Sequence, residues 1–318
     1  MMRIAAESSV EEEMVKSILI TGGSATLGRA LTPMLIAEGW DVRRADLHPG
    51  DGGAGEFVMS DLRRAEDVRR AVEGVDAIIH AAAWHGVHLR EHPARDFWEL
   101  NVDGTYNLLE AAVEAGIGRF VLSSTMGVYG SSSHPDDDEP AVRVHEALPL
   151  RPSDIYGQSK VISERLSAFF ARTHGVRAVA LRYGMFVPEP FGHYGIRMLY
   201  GGVDVRDVAA ANIAALRRLE SPGPFAAYNI FSTLPFDDGD LEELRTAPTR
   251  VVERHWPDAP GLLAQIAEKP WGPINALYDS GRVERELGWR PRFGFGSFLD
   301  GLRHGVRSAD DLVRESGF

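Results

Sequence analysis

Tyr156 and Lys160 are spaced so that they could work together in proton transfer. The segment 156–173 repeats apolar residues at helical intervals, which predicts a helix with positions four apart on one face. A phenol ordinarily titrates near ~10, and a neighbouring ammonium favours the phenolate and lowers its pKa. The pair therefore predicts acid–base chemistry near neutral pH, although this spacing is also typical of a simple surface pair.

A glycine-rich stretch, residues 22–28, has the setting of a nucleotide site. It follows a predicted buried strand at 16–21 and opens a predicted amphipathic helix, and this order is the context in which such a stretch binds a dinucleotide. Backbone N–H groups at the helix start can hold a pyrophosphate, whereas an ordinary glycine-rich turn is the alternative. The expected contacts are Gly22, Ser24, Ala25, Thr26, Leu27 and Gly28.

An acid, Asp46, ends the second predicted strand at 41–46. It lies roughly 20 residues after the glycine stretch, where an acid suits a ribose 2′-hydroxyl and repels a 2′-phosphate. This position favours NAD as the cofactor. Arg43 and Arg44 leave NADP open, because an arginine can accept the extra phosphate.

Further predicted strands at 56–59, 76–80, 119–124 and 177–182 alternate with helices, one of them at 94–115. This alternation predicts an α/β fold with a doubly wound parallel sheet of the Rossmann type. Ligands of such sheets bind beyond the carboxyl ends of the strands. The predicted strand ends carry Thr21, His80 and Thr125.

Composition excludes several classes of protein. The chain has 318 residues and a formal net charge of -12, which argues against nucleic acid or an anionic membrane as a partner. Without cysteine there is no disulfide framework or thiol nucleophile, and no metal site is expected. No apolar run is long enough to span a bilayer, so a cytoplasmic location is expected. Residues 1–15 are polar and are predicted to form a disordered extension, within which Met14 is an alternative start.

These segments, in their order, resemble the extended short-chain dehydrogenase/reductase family of the NAD-dependent epimerase/dehydratase type. The resemblance covers the chain from Lys16 to the last predicted helix. The matching residues are Thr21-Gly22-Gly23 with Gly28, Asp46, Asp61-Leu62, His80-Ala81-Ala82-Ala83, Asn101-Val102-Asp103-Gly104-Thr105, Ser123-Ser124-Thr125 with Val128-Tyr129-Gly130, Tyr156-Gly157-Gln158-Ser159-Lys160, Asp207-Val208-Ala209 and Glu286-Leu287-Gly288-Trp289-Arg290-Pro291.

The resemblance implies a role for each catalytic residue. Tyr156 takes or gives the hydroxyl proton, Lys160 lowers its pKa and holds the nicotinamide ribose, and Thr125 hydrogen-bonds the reacting oxygen. It also implies a homodimer formed through the helices at 94–115 and 156–173. The remaining implied NAD contacts are Leu47, Asp61, Leu62, Ala81, Ala82, Ala83, Asn101, Ser123 and Tyr183.

The resemblance divides the chain into two parts. The NAD-binding domain comprises residues 16–182 and a later segment, 203–232. The small C-terminal substrate-binding lobe comprises residues 183–202 and 233–318. Ala25 stands where the family usually has a glycine, which puts the loop geometry in question. The segment between Leu181 and Asp204 is too short for the nucleotide grip of nucleotide-sugar members, so a small substrate without a nucleotide is expected.

That short segment looks like the uronate dehydrogenase branch, in which the arginine corresponding to Arg197 holds the sugar carboxylate. The match to the substrate-binding residues of that branch is incomplete, because bulky or apolar side chains stand where that branch has small polar ones. The expected substrate contacts are Trp84, His85, Thr125, Met126, Met185, His193 and Arg197.

Three functions are compatible with these residues. The first is an NAD-dependent dehydrogenase acting on a hydroxyl or carbonyl of a small sugar, sugar acid or polyol. The second is an epimerase or dehydratase that retains its NAD. A dehydratase would want an acid–base pair beside Thr125, where Met126 and Gly127 stand. The third is a non-catalytic NAD-binding regulatory protein, against which the presence of Thr125, Tyr156 and Lys160 argues.

Overall fold

The computed structural model describes residues 16–220, 223, 225–266, 271–306, 308 and 311, so the predicted disordered extension lies outside the described residues. The part of the chain that the structure describes contains nine strands: β1 Ser17–Thr21, β2 Asp41–Asp46, β3 Glu56–Met59, β4 Ala77–His80, β5 Arg119–Thr125, β6 Val142–Val144, β7 Arg177–Tyr183, β8 Ala226–Ile230 and β9 Ala276–Tyr278. Seven form one parallel sheet in the order β3-β2-β1-β4-β5-β7-β8, and β6 pairs with β9. The predicted Rossmann-type α/β fold is confirmed.

Helices cover both faces of the large sheet. In chain order the helices are α1 Thr26–Ala37, α2 Ala65–Val72, α3 Ala94–Phe97, α4 Gly104–Glu114, α5 Ile155–Thr173, α6 Phe191–Arg197, α7 Val205–Arg218, α8 Leu241–Thr246, α9 Pro248–His255, α10 Ala259–Ala264, α11 Gly281–Leu287 and α12 Phe295–Arg303. Within the described residues, no helix is both long and apolar enough to cross a membrane.

The central strand β1 shows why the sheet is buried on both sides. Ile18 and Ile20 face one core cluster, which includes residues of α1 and α7. Leu19 faces the other, which includes residues of α2 and α4. Because side chains alternate along a strand, an uninterrupted apolar run is what a strand covered on both faces requires.

The C-terminal lobe has a core of its own, built from α6, the chain around α8 to α10, and α12. Phe295 and Phe298 are fully buried in it, and Trp271 packs edge-on against Phe295. The helices α8, α9 and α10 have only six to eight residues each. So few turns give almost no periodic pattern, and helices this short therefore have little signal in the sequence.

The helix predicted at 94–115 is interrupted by a π-helical turn, Trp98–Asp103, between α3 and α4. Asn101 within this turn accepts a hydrogen bond from the Trp84 backbone N–H at 2.8 Å and donates to Ser159 Oγ at 2.9 Å. Such π-helical turns are frequent at functional sites. Here the turn joins the loop after β4 to α5.

Helix α5 was predicted correctly, and it buries small hydroxyl side chains beside apolar ones such as Val161 and Phe170. Its buried face carries Ser159, Ser163 and Ser167, whereas Phe169 is 44% exposed. Ser163 Oγ donates to the Asn101 carbonyl at 2.9 Å. Small hydroxyl side chains let α5 approach α4 and the π-helical turn closely, which large apolar residues would prevent.

Candidate active site

A cavity of about 570 Å³ lies at the carboxyl ends of the central strands β1, β4, β5 and β7. It begins at the glycine stretch 22–28 and ends at Pro188. Tyr156, Lys160 and Thr125 all line its wall. The three predicted catalytic residues therefore meet at one surface, at the edge of the sheet where ligands of this fold bind.

Two elements bring the catalytic residues together. Thr125 is the last residue of β5, and Tyr156 and Lys160 stand one turn apart in α5. Asp154 fixes the start of α5, because its Oδ1 accepts a hydrogen bond from the Gly157 N–H at 2.7 Å. A Cβ added at Gly157 would lie 2.5 Å from the Gly127 carbonyl oxygen, so only glycine allows this approach of α5 to the end of β5.

Burial raises the pKa of Tyr156 to about 12, and the neighbouring Thr125 hydroxyl partly opposes that rise. Burial also lowers the pKa of Lys160 to about 8, against the opposing charge of Glu164. At neutral pH Tyr156 is thus a phenol with a proton to donate. The expected lowering of its pKa by Lys160 stays a prediction for the complex with cofactor.

The glycine stretch has the geometry of a dinucleotide cradle. Gly22 has a φ of 69°, and a Cβ there would lie 2.8 Å from the Ala82 nitrogen. Both its backbone conformation and this close approach therefore require glycine. Ala25 has a φ of -81°, an ordinary value, so its methyl strains no backbone. No side chain caps the start of α1, and Ser24 Oγ is buried without a hydrogen-bond partner. These polar groups fit a bound pyrophosphate.

Asp46 is held at the tip of β2, where its two carboxylate oxygens accept hydrogen bonds from the backbone N–H groups of Ser24 at 3.0 Å and Leu47 at 2.8 Å. Arg43 is turned away, with its Nε donating to Glu56 at 2.7 Å. Arg44 is buried beneath the loop at Gly53, and its Nε has no hydrogen-bond partner. The carboxylate is therefore the group placed beside the glycine stretch.

We expect Asp46→Ala to narrow a preference for NAD over NADP. The change removes an acceptor for the ribose hydroxyls and the repulsion of a 2′-phosphate. The dissociation constant for NADPH divided by that for NADH should therefore fall by about tenfold. Binding is measured by titration with NADH and NADPH. Asp41→Ala, at the exposed start of β2, is the control. A wild-type preference for NADPH would show that Arg44 decides cofactor choice.

The structure sorts the predicted cofactor contacts into two groups. Those lining the cavity are Gly22, Ala25, Thr26, Leu27, Ala81, Ala83, Ser123, Tyr156, Lys160 and Tyr183. Those outside its lining are Ser24, Gly28, Asp46, Leu47, Asp61, Leu62, Ala82 and Asn101. In the second group Asp61 is paired with Arg63 at 2.7 Å, and Asn101 is bonded to Trp84 and Ser159. Asn101 thus positions the wall of the cavity.

Among the predicted substrate contacts, His85, Thr125, Met126 and Met185 line the cavity, whereas Trp84, His193 and Arg197 do not. The Trp84 ring stacks on His92, with centroids 3.9 Å apart, and His193 is exposed on α6. His88, a histidine also considered as a substrate contact, lines the cavity, as do Val87 and Phe186, which were not predicted. Each lies a few residues beyond a recognised strand end, so extending those motifs along the chain would have found them.

Arg197 is already paired within the chain. Its side chain is 6% exposed, and its guanidinium binds the Glu189 carboxylate and the Met185 carbonyl oxygen. It also lies 5.6 Å from the centre of the Tyr194 ring. These contacts tie the segment 185–189 to α6. Its predicted role in holding a substrate carboxylate stays a prediction that this pairing does not support.

His80, at the end of β4, is fully buried between two threonine hydroxyls. Its Nδ1 lies 2.7 Å from Thr21 Oγ1 and its Nε2 lies 3.0 Å from Thr105 Oγ1. Burial, with a smaller effect of Lys160, lowers the pKa of His80 to about 3. The ring is therefore neutral in the folded protein, and it connects β1 to α4 beneath the cavity.

This neutral histidine should make the protein acid-sensitive. Between pH 6.5 and 3 the unfolded chain binds a proton at this residue that the folded chain does not, so the free energy of unfolding falls as pH drops through that window. The contribution is about 1.4 kcal/mol per pH unit. Urea unfolding of wild type and His80→Gln at several pH values measures it, and the variant should show the shallower slope. Equal slopes would mean that the ring is charged in the folded state.

A parallel sheet with a glycine cradle after β1 and a Tyr-Lys pair beside β5 defines a class of protein, the Rossmann-type enzymes that use a nicotinamide dinucleotide. The chain belongs to the NAD dependent epimerase/dehydratase family, whose model matches residues 18–193. It is an enzyme of that family, a dehydrogenase or an epimerase, and the non-catalytic alternative is not supported.

Known proteins of both kinds are similar to the chain. A UDP-glucose 4-epimerase from Streptococcus mutans is 28% identical over 87% of this chain and 92% of its own length. A uronate dehydrogenase from Pseudomonas putida is 32% identical over 57% of this chain and 64% of its own length. A short-chain dehydrogenase/reductase superfamily protein from Agrobacterium tumefaciens, solved with bound NAD, has a TM-score of 0.67 at 22% identity and covers 95% of this chain and 100% of its own.

Proposed function

We propose that this chain is an NAD-dependent dehydrogenase that oxidises a secondary hydroxyl, or reduces the matching carbonyl, on a small molecule without a nucleotide. The observation that carries the proposal is that Thr125, Tyr156 and Lys160 line the same cavity at the carboxyl ends of the strands. These groups provide a proton donor or acceptor and a hydrogen-bonding partner for one oxygen atom.

Each residue has a distinct task in this mechanism. Thr125 holds the reacting oxygen beside Tyr156 Oη, so the proton moves over one hydrogen bond. Tyr156 donates its proton when a carbonyl is reduced and accepts one when a hydroxyl is oxidised. The Lys160 ammonium stabilises the phenolate that donation leaves. NAD, when bound along the glycine stretch, supplies the redox partner that exchanges a hydride with the substrate carbon.

An NAD-retaining epimerase is the second candidate, favoured by the similarity to the Streptococcus mutans epimerase over nearly the whole chain. The two functions differ in whether reduced cofactor is released. Absorbance at 340 nm during a panel of alcohols, sugars and sugar acids with NAD, and of ketones with NADH, separates them. A steady change supports the dehydrogenase, whereas turnover of UDP-glucose to its epimer without a change supports the epimerase.

We further propose that the chain forms a homodimer through the face that carries α4, α5 and the π-helical turn. Three large side chains on this face are exposed: Trp98 by 40%, Tyr106 by 43% and Phe169 by 44%. Exposed aromatic residues on neighbouring helices are typical of an isologous interface.

The double variant Tyr106→Glu with Phe169→Glu should convert a dimer into a monomer, because it places charges in an apolar interface. Light scattering after size-exclusion chromatography measures the molar mass. Glutamate at Met59, which is 69% exposed on β3, is the control and should leave the mass unchanged. A wild-type protein that elutes as a monomer at micromolar concentration would refute the proposed dimer.

A further inference from the structure

The part of the cavity beyond the catalytic residues has an apolar wall. Val87 from the loop after β4 and Met185 from the end of β7 are 61% and 45% exposed, and both line the cavity. Met126, Phe186, Val187 and Pro188 complete this wall. Large apolar side chains left exposed and grouped at one cavity indicate a surface that a ligand covers.

The backbone holds this wall in place. The Met185 N–H donates to the Gly201 carbonyl at 3.2 Å, and its own carbonyl accepts from Val203 at 3.0 Å and from Arg197. A Cβ at Gly184 would lie 2.2 Å from the Gly201 oxygen, so the two chains are in close contact here. The backbone of Met185 is therefore fixed at the rim of the cavity, and its thioether side chain forms part of the cavity lining.

The polar side chains of this region are few and include the imidazoles of His85 and His88. His88 Nδ1 accepts a hydrogen bond from the His85 N–H at 3.0 Å, which leaves one nitrogen of that ring for a ligand. Thr125 and Tyr156 are committed to the reacting oxygen, and Arg197 is paired with Glu189. The additional hydroxyls of a sugar or polyol would face Val87, Met185 and Phe186. A hydroxyl buried without a partner weakens binding, whereas apolar area buried there strengthens it.

We propose that the substrate of this site is a secondary alcohol or ketone with an apolar substituent, not a sugar, polyol or sugar acid. This assignment rests on the proposed dehydrogenase function of the same site. In oxidation the carbinol carbon loses a hydride to NAD and its hydroxyl loses a proton to Tyr156, and the product is the ketone. The apolar substituent packs against Val87, Met185 and Phe186.

The test compares 2-butanone, 2-hexanone and 2-octanone with NADH, and the matching alcohols with NAD, against D-galacturonate, L-arabinose and UDP-glucose with NAD. We expect kcat/KM to rise by about two- to fourfold for each added methylene. Met185→Asn should flatten this rise and lower kcat/KM for 2-octanone by about tenfold. Val87→Asn is the second variant, should Met185→Asn fold poorly. Met59→Asn, on the exposed end of β3, is the control and should change nothing.

The outcomes separate the substrate class from the function. A wild type that turns over galacturonate, arabinose or UDP-glucose with a higher kcat/KM than 2-octanone overturns the apolar substrate and leaves the enzyme class standing. An unchanged chain-length dependence in both cavity variants overturns it as well. Turnover of no compound, combined with 2-octanone binding to the NADH complex that Met185→Asn abolishes, supports the apolar site and refutes the dehydrogenase function. NADH fluorescence reports that binding.

Discussion

Replacement of Tyr156 by Phe should lower kcat by at least ~100-fold and leave the dissociation constant of NADH nearly unchanged. The variant keeps the ring and its packing but removes the phenol hydroxyl that interacts with the Thr125 side chain. Loss of a general acid or base typically costs this much or more. The measurement is the rate of absorbance change at 340 nm with the best substrate of the panel, together with NADH titration.

Tyr200→Phe is the matched control, because it removes a hydroxyl that donates to the Gly272 carbonyl at 3.0 Å, outside the cavity lining. It should leave kcat unchanged. Since burial raises the pKa of Tyr156 to about 12, the phenol is protonated at neutral pH. Carbonyl reduction should therefore proceed at neutral pH, and oxidation should accelerate as pH rises. A Tyr156→Phe enzyme with a rate within about twofold of wild type would remove Tyr156 from the mechanism.

Replacement of Glu164 by Gln should lower the free energy of unfolding by about 3–5 kcal/mol. Glu164 and Arg182 form an ion pair at 2.7 Å with side chains that are 5% and 6% exposed. Glu164 also accepts a hydrogen bond from Ser124 Oγ at 2.6 Å. The variant leaves the arginine charge buried without its partner, and that uncompensated charge is the source of the loss. Urea unfolding at neutral pH, followed by circular dichroism, measures it.

Glu114→Gln provides the comparison for this pair. Glu114 binds Arg69 at 2.9 Å on the surface, where both side chains are about half exposed and water screens the charges, so its loss should cost far less than the loss of the buried pair. Both pairs join a glutamate to an arginine, so the difference in the free energy of unfolding between the two variants would reflect the burial of the Glu164–Arg182 pair. If the two variants were equally stable, the Glu164–Arg182 pair would contribute no more than a surface pair does.

The alternation of strands and helices carried most of the fold prediction. Strong apolar runs such as 18–20 and 120–122 have one stable arrangement, a sheet covered on both faces, so their pattern was sufficient. The positions of Thr125, Tyr156 and Lys160 followed from the strand ends and from the spacing of four within α5. The π-helical turn at Trp98–Asp103 had no such signal, because it depends on the bonds that Asn101 makes to distant residues.

The substrate side of the cavity was predicted less well. Arg197 was expected to face a substrate carboxylate, and the chain itself contains the acid that binds it. Glu189 lies eight positions earlier, which is too far along the chain for the two side chains to touch within one helix or strand. Only the turn into α6 places the two side chains in contact. Such a pairing depends on loop geometry, which sequence patterns describe poorly.

The Glu189–Arg197 pair also acts as an internal competitor. An acidic substrate that sought this guanidinium would have to displace a carboxylate that is tethered to the same chain and cannot diffuse away. For short tethers the effective concentration of such a group reaches about the millimolar range, so weakly binding acids would lose the competition. The pair would thereby weaken any attraction of acids to Arg197, a residue that lies outside the cavity lining.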